Sequence, residues 1–191
     1  MNFDRAAAMY CPFFCEENIW QLAKKMSAQT PELNNGSVLF FLSARSSDSG
    51  GSYLAIRNQV AFEVGTTGFW DYHVVLLDSK EGLIYDLDTR LDCPVSAGQY
   101  FAQTFPSQSS LPTEVQTVVR SVPIQEYLER FSSDRSHMID ATGESCEPFP
   151  KWPPIVADDP IWLNQYRSIV DIAGSQSKVV GVEKFAQTVD F

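Results

Sequence analysis

The 191 residues predict a chain of mixed helix and strand organised around one antiparallel hairpin. Three stretches carry the prediction. "CEENIWQLAKKM" (15–26) repeats apolar residues at helical spacing, and "SVLFFLSA" (37–44) is an unbroken apolar run of strand length. "FWDYHVVLLD" (69–78) and "LIYDLDT" (83–89) flank the turn-forming "SKEG" (79–82), which is the hairpin.

The helix begins at or just after Cys15, with Ile19, Leu22, Ala23 and Met26 at helical intervals. Glu16 and Glu17 in the first turn and Lys24 and Lys25 towards the end complement the macrodipole, and Pro31 closes the region. After the first strand, the polar "RSSDSGGS" (45–52) reads as a surface loop. Register decides what the hairpin brings together. Pairing residue 76 with 83 sets Asp86 directly across from His73, whereas a slip by one residue turns Asp86 and Asp88 away. Beyond it, "QTFPSQSSLPTE" (103–114) is expected as a loop and "PIQEYLERF" (123–131) as a short helix. Five prolines forbid regular structure over most of 141–160. "KVVGV" (178–182) reads as a strand and "EKFAQTV" (183–189) as a helix. No internal repeat, low-complexity linker or composition break divides the sequence, so residues 1–191 are expected to form a single domain.

Fourteen Lys+Arg against twenty-four Asp+Glu give a net charge of −10 without a basic block, which argues against nucleic acid as a partner. The acidic balance suits a cationic ligand such as a free α-amine. Cys11, Cys15, Cys93 and Cys146 are too sparse for a disulfide scaffold, and "CPFFC" (11–15) has three residues between its cysteines where zinc knuckles and redox motifs have two. They read as reduced thiols. The first residues lack the basic-then-apolar layout of a secretory signal, and no apolar stretch approaches the roughly 20 residues of a membrane span. A cytoplasmic protein, also present in the nucleus and without a membrane partner, is the expectation.

His73 is one of only two histidines and stands at the head of an apolar strand. Cys15 opens a helix, where unpaired backbone N–H groups and the dipole favour a thiolate, although Glu16 and Glu17 oppose it. His73 could take the thiol proton, and Asp86 on the adjacent strand could orient the ring. The same residues also fit plainer roles. Cys15 can be a small buried hydrophobe, His73 a core residue, Asp86 a surface carboxylate, and Trp20, Tyr72 and Tyr85 core or cleft aromatics. A zinc site of Cys11, Cys15, His73 and Cys93 has no ligand pair at the usual close spacing. Spacing alone leaves these open.

The wording of four blocks favours the first reading. "CEENIW" (15–20), "WDYHVVLL" (70–77), "IYDLDT" (84–89) and "SDRSHM" (133–138) resemble, in order and spacing, the signature blocks of the protein N-terminal glutamine amidohydrolase family. "LNQY" (163–166) and "VGVEKFAQ" (180–187) resemble its C-terminal region, so the likeness runs from about Tyr10 to near the end. It departs within "SYLAIRNQVAFEVGTTGF" (52–69), where Arg57 stands in place of an expected aromatic. The resemblance implies a papain- or transglutaminase-like α+β fold, with an antiparallel sheet packed against an N-terminal helix bearing the nucleophilic cysteine. It also implies a triad of Cys15, His73 and Asp86 that deamidates an N-terminal glutamine through a thioester.

That chemistry requires no metal and no organic cofactor, and its partners would be proteins or peptides with a free N-terminal glutamine, met by a monomer. The α-ammonium needs an acidic reader. Glu16, Asp71, Asp88 and Asp134 are the candidates in or beside the blocks. Arg135 and His137 are as well suited to a hydrogen-bond network that holds the "SDRSHM" loop together. Two rivals share the blocks: a peptide-cleaving cysteine hydrolase of the same fold, and a non-catalytic module that binds N-termini.

Overall fold

A computed structural model describes residues 3–45 and 53–189, so nearly all of the polar loop expected at 45–52 lies outside the described residues. Helix α1 (Cys15–Gln29) buries Cys15, Ile19, Leu22 and Ala23, the face its spacing predicts. Strands β1 (Ser37–Ser43), β2 (Leu54–Arg57), β3 (Thr67–Trp70), β4 (Tyr72–Asp78), β5 (Leu83–Tyr85) and β6 (Val95–Ser96) follow, with helix α2 (Ala97–Thr104) directly after β6. The remainder comprises β7 (Thr117–Pro123), α3 (Ile124–Arg130), β8 (Phe131–Ser132), β9 (Ile161–Trp162), α4 (Leu163–Tyr166), β10 (Lys178–Gly181) and α5 (Val182–Val189). The expected helix at 123–131, strand near 178–182 and helix at 183–189 are all present, and residues 141–160 contain no helix or strand.

Six strands form one antiparallel sheet in the order β10-β7-β1-β4-β5-β6, a mixed α and β architecture. Both faces are covered, which is why the two central strands are apolar without alternation. Val38, Phe40, Leu42, Val74 and Leu76 pack with Ile19 and Leu22 of α1 and Tyr127 of α3. Leu39, Phe41, Val75 and Leu77 face the other way, onto Tyr100 and Phe101 of α2 and Val182 of α5. Tyr127 fixes α1 further by donating its hydroxyl to the Glu16 carbonyl at 2.9 Å. No helix among the described residues is long and apolar enough to cross a membrane.

The hairpin forms in a different register. Leu76 pairs with Tyr85 and Asp78 with Leu83, two residues away from the pairing the sequence suggested. The turn decides it. Asp78 Oδ1 accepts from the N–H groups of Lys80 (3.0 Å) and Glu81 (3.2 Å), and Gly82 supplies a φ of 62°, so the chain reverses within 79–82. A two-residue shift preserves the face of every side chain. The strand expected at 69–78 is also two strands: Trp70 pairs with Leu54 of β2, and the chain bends at Asp71 before β4 begins. The loop expected at 103–114 starts inside α2 and continues through single 3-10 turns at Gln108–Ser110 and Thr113–Val115.

β7 carries a buried arginine. Arg120 has no exposed surface, and its guanidinium donates to the carbonyls of Tyr166 (3.2 Å), Ser168 (2.6 Å) and Val170 (2.7 Å) and to Ser177 Oγ (2.8 Å). These bonds tie the chain after α4 to the sheet. Arg120→Leu keeps an apolar stem but strands those carbonyls; a loss of roughly 3 kcal/mol is expected in denaturant unfolding, read as a lower midpoint at unchanged m.

Candidate active site

The chain enters α1 through a strained turn. Phe13 has φ 68°, and Phe14, buried at the N-cap, offers no side-chain cap. Asn18 holds the turn instead: its Oδ1 accepts from Cys11 N–H and its Nδ2 donates to Cys11 O, both at 2.8 Å. This sets Cys15, 4% exposed, as the first helical residue, with α1 lying against the Tyr72, Val74 and Leu76 face of β4.

His73 is completely buried on β4, with the Trp70 ring edge-on at 5.0 Å. Its Nε2 lies 3.0 Å from Asp86 Oδ2. Because the β5 ladder ends at Tyr85, Asp86 is free to leave the strand line and reach His73 from a diagonal position. Asp86 is wholly buried as well and receives Gln59 Nε2 (3.1 Å), Tyr100 OH (2.8 Å) and its own turn's Asp88 N–H (2.9 Å). Gln59 and Tyr100 were not among the sequence candidates. Nothing local marks Gln59. Tyr100 follows an S-x-x-Q capping pattern, in which Ser96 Oγ accepts from Gln99 N–H at 3.4 Å, and that pattern announces α2 and its buried face.

Burial disfavours a charged His73, but Asp86 outweighs it and holds the ring's pKa above its usual value. The carboxyl responds in kind: burial would raise it, and His73 brings it below the usual carboxylate value. The two directions agree on an imidazolium–carboxylate pair. Cys15 behaves oppositely to the helix-terminus expectation. Burial, then Glu16 and Asp88, push the thiol well above its ordinary value, and the backbone N–H of Val74 only partly offsets them. The resting thiol is neutral, with its Sγ 3.7 Å from Glu16 Oε2.

The four acidic candidates occupy different environments. Glu16 is completely buried, accepts the Tyr72 hydroxyl at 2.8 Å, and is pushed up to about 7 by burial. His137 Nε2 lies 3.5 Å from its other oxygen, and burial lowers that imidazole to about 4. Asp71 is 53% exposed and paired with Arg167 at 2.6 Å. Asp134 is exposed and caps its own loop by accepting Ser136 N–H at 2.9 Å. Asp88 is 5% exposed and accepts the Tyr10 hydroxyl at 2.5 Å. Arg57, the departure noted in the sequence, ends β2 in solvent and donates to Thr67 Oγ1 at 3.1 Å.

The "SDRSHM" block is a network. Arg135, at φ 62°, donates Nε and Nη2 to the two oxygens of buried Glu17 at 2.8 Å each, and Trp152 Nε1 adds a third bond at 2.7 Å. His73, Asp86 and Asp88 also present one ligand atom each within 4.8 Å of one another, a set that could hold a cation at the expense of the histidine's proton chemistry.

A sequence model of the family described as N-terminal glutamine amidase matches residues 10–189. The protein N-terminal glutamine amidohydrolase of Homo sapiens is 35% identical over 171 residues, covering 86% of this chain and 80% of the human protein. The bovine protein of the same name shows 35% over 171 residues (86% and 79%), and that of Drosophila mojavensis 32% over 156 residues (80% and 74%).

Glu17 has no exposed surface, so losing its cation is costly. Arg135→Ala should lower stability by about 3–5 kcal/mol, measured by chemical denaturation.

Proposed function

Because the chain belongs to the N-terminal glutamine amidase family, we propose that Cys15, His73 and Asp86 are the nucleophile, base and orienting acid with which it converts an N-terminal glutamine to glutamate, releasing ammonia. The observation that carries the assignment is the buried 3.0 Å contact of His73 with Asp86 on the strand against which the Cys15 helix packs. Neither ring nitrogen makes a hydrogen bond of good geometry among the described residues; Nε2 faces Asp86 Oδ2 at ion-pair distance, which leaves Nδ1 to exchange a proton with the thiol.

The proton passes from Sγ to His73, and the thiolate attacks the side-chain carboxamide carbon. Backbone N–H groups at the start of α1, that of Cys15 included, receive the oxyanion. His73 then protonates the departing ammonia, and water activated by the same ring hydrolyses the thioester. Water is the one co-reactant this sequence of steps needs. A helix-borne cysteine, a strand histidine and an acid after the next strand support a papain- or transglutaminase-like class. One catalytic domain acting as a cytoplasmic and nuclear monomer belongs to the same reading.

Incubation with a glutamine-initiated peptide tests the function. Ammonia release with conversion of amide to acid is expected, and Cys15→Ala should abolish it while keeping the fold. Backbone cleavage would point to a peptidase, and binding without change to a non-catalytic module. Internal glutamine, acetylated glutamine and N-terminal asparagine should not react, the last because its carbonyl stops one methylene short of the sulfur.

The pH profile tests the base. His73 must be neutral to accept the thiol proton, so kcat/KM should fall with acid through an apparent pKa above the roughly 6.5 of free imidazole, since Asp86 raises it. Asp86→Asn should move that limb to lower pH and reduce kcat by roughly 10²–10⁴, as for the orienting aspartate of Ser-His-Asp enzymes. Asp71→Asn and Asp88→Asn should cost less in kcat.

A further inference from the structure

Resting on the deamidation reading, we propose that Asp88 is the residue that binds the substrate's α-ammonium, held in place by the hydroxyl of Tyr10. Reading an amine against its acetylated form by orders of magnitude requires a carboxylate withdrawn from water, because an exposed ion pair is worth only about 0–1 kcal/mol. Asp71, half-exposed and committed to Arg167, and Asp134, exposed and committed to its own loop, do not meet that condition. Glu16 and Asp88 remain, both nearly or fully buried.

Access separates them. Glu16 has no exposed surface, and its Oε2 already accepts from Tyr72 and from Cys15 Sγ. Asp88 is 5% exposed and is grouped with His73 and Asp86, their ligand atoms all within 4.8 Å. The scissile carboxamide must lie where Cys15 can attack it and His73 can hand a proton to ammonia. In glutamine the α-nitrogen is four bonds from that carbon, and so no farther than roughly 5 Å. The amine therefore has to find its partner beside the His73 pair.

Asp88 is also free to serve. Its side-chain hydrogen bond comes from a neutral phenol, at 2.5 Å; burial raises its carboxyl above the usual value, and the nearby His73 draws it back only in part. That phenol belongs to Tyr10, which is 41% exposed and reaches the cluster from a segment fastened to the same turn by Arg5, bonded to the carbonyls of Thr89 (2.6 Å) and Leu91 (2.8 Å). Tyr10 thus spans from solvent to Asp88. Burial and Asp88 both raise the Tyr10 phenol, so it stays protonated and keeps donating.

The test compares a glutamine-initiated peptide with its des-amino analogue, in which hydrogen replaces the α-amine. The wild type should prefer the amine peptide by roughly 10²-fold in kcat/KM. Asp88→Asn should remove that preference, lowering kcat/KM for the amine peptide by about the same factor and leaving the analogue within roughly threefold. Tyr10→Phe retains the carboxylate and provides a second, milder arm: KM for the amine peptide should rise a few-fold with kcat and the analogue unaffected. Equal losses on both substrates would show that Asp88 acts through His73, and a selective loss in Glu16→Gln or Asp71→Asn would reassign the amine; either result overturns the proposal while the wild type still releases ammonia. If the wild type releases none from the amine peptide, the deamidation reading falls with it.

Discussion

A carboxylate with no access to water must be satisfied completely or not be there, and Asp86 is satisfied from several directions. His73 reaches it from β4, Gln59 from the connection between β2 and β3, Tyr100 from α2, and the Asp88 N–H from its own turn. Three of those partners are far apart in sequence. The fold around the site is therefore constrained by one side chain: removing its charge affects the imidazole's proton affinity, the anchoring of α2 and the path of the chain through 86–88 together. A carboxylate so fully bonded is also immobile, which suits an orienting role better than a proton-transferring one.

Glu17 does the corresponding work for Cys15. Adjacent glutamates on α1 have opposite fates: Glu17 is neutralised by a bidentate arginine, while Glu16 has no cation at hydrogen-bonding distance among the described residues and moves towards neutrality by taking a proton at about 7. The Arg135 clamp ties the helix start to the segment around Trp152, so the proline-rich stretch contributes rigidity without regular structure. The cost of crowding acids near the sulfur is a high thiol pKa, with burial as its largest cause. On the proposed mechanism the resting site, with a neutral thiol and an imidazolium–carboxylate pair, carries one proton more than the reactive form, and a substrate's positive charge is of the sign that encourages that proton's departure.

Much of this was legible because burial writes itself into composition. β1 and β4 read as strands since both of their faces are covered, and α1 showed its face through Cys15, Ile19, Leu22 and Ala23. The pairing of His73 with Asp86 was anticipated from a register that was wrong by two residues. It survived because side-chain direction has period two and because Asp86 sits beyond the ladder, where exact opposition no longer matters. β7 was not anticipated: an interior strand with Arg120 buried in it shows neither an apolar run nor alternation, and what makes the arginine tolerable is a set of carbonyls some fifty residues away. α2 had its cap pattern in the sequence, whereas Gln59 had no local signal. Its role comes from a long-range contact with a carboxylate in another element.

Net charge was the least informative sequence quantity for the site. An excess of ten negative charges suggests a cationic ligand, but most of those carboxylates lie in water, where they attract an amine weakly and without position. The acids suited to chemistry are those that folding takes out of water, and the four of them around the site have different partners: a histidine for Asp86, an arginine for Glu17, a tyrosine for Glu16 and another for Asp88. The partners set what each acid can still accept. A cation already in place leaves nothing to offer a second one; a histidine converts the acid into a tuner of proton affinity. A phenol gives up only a shared hydrogen, which is why Asp88, although burial raises its carboxyl, is the buried acid proposed for the amine.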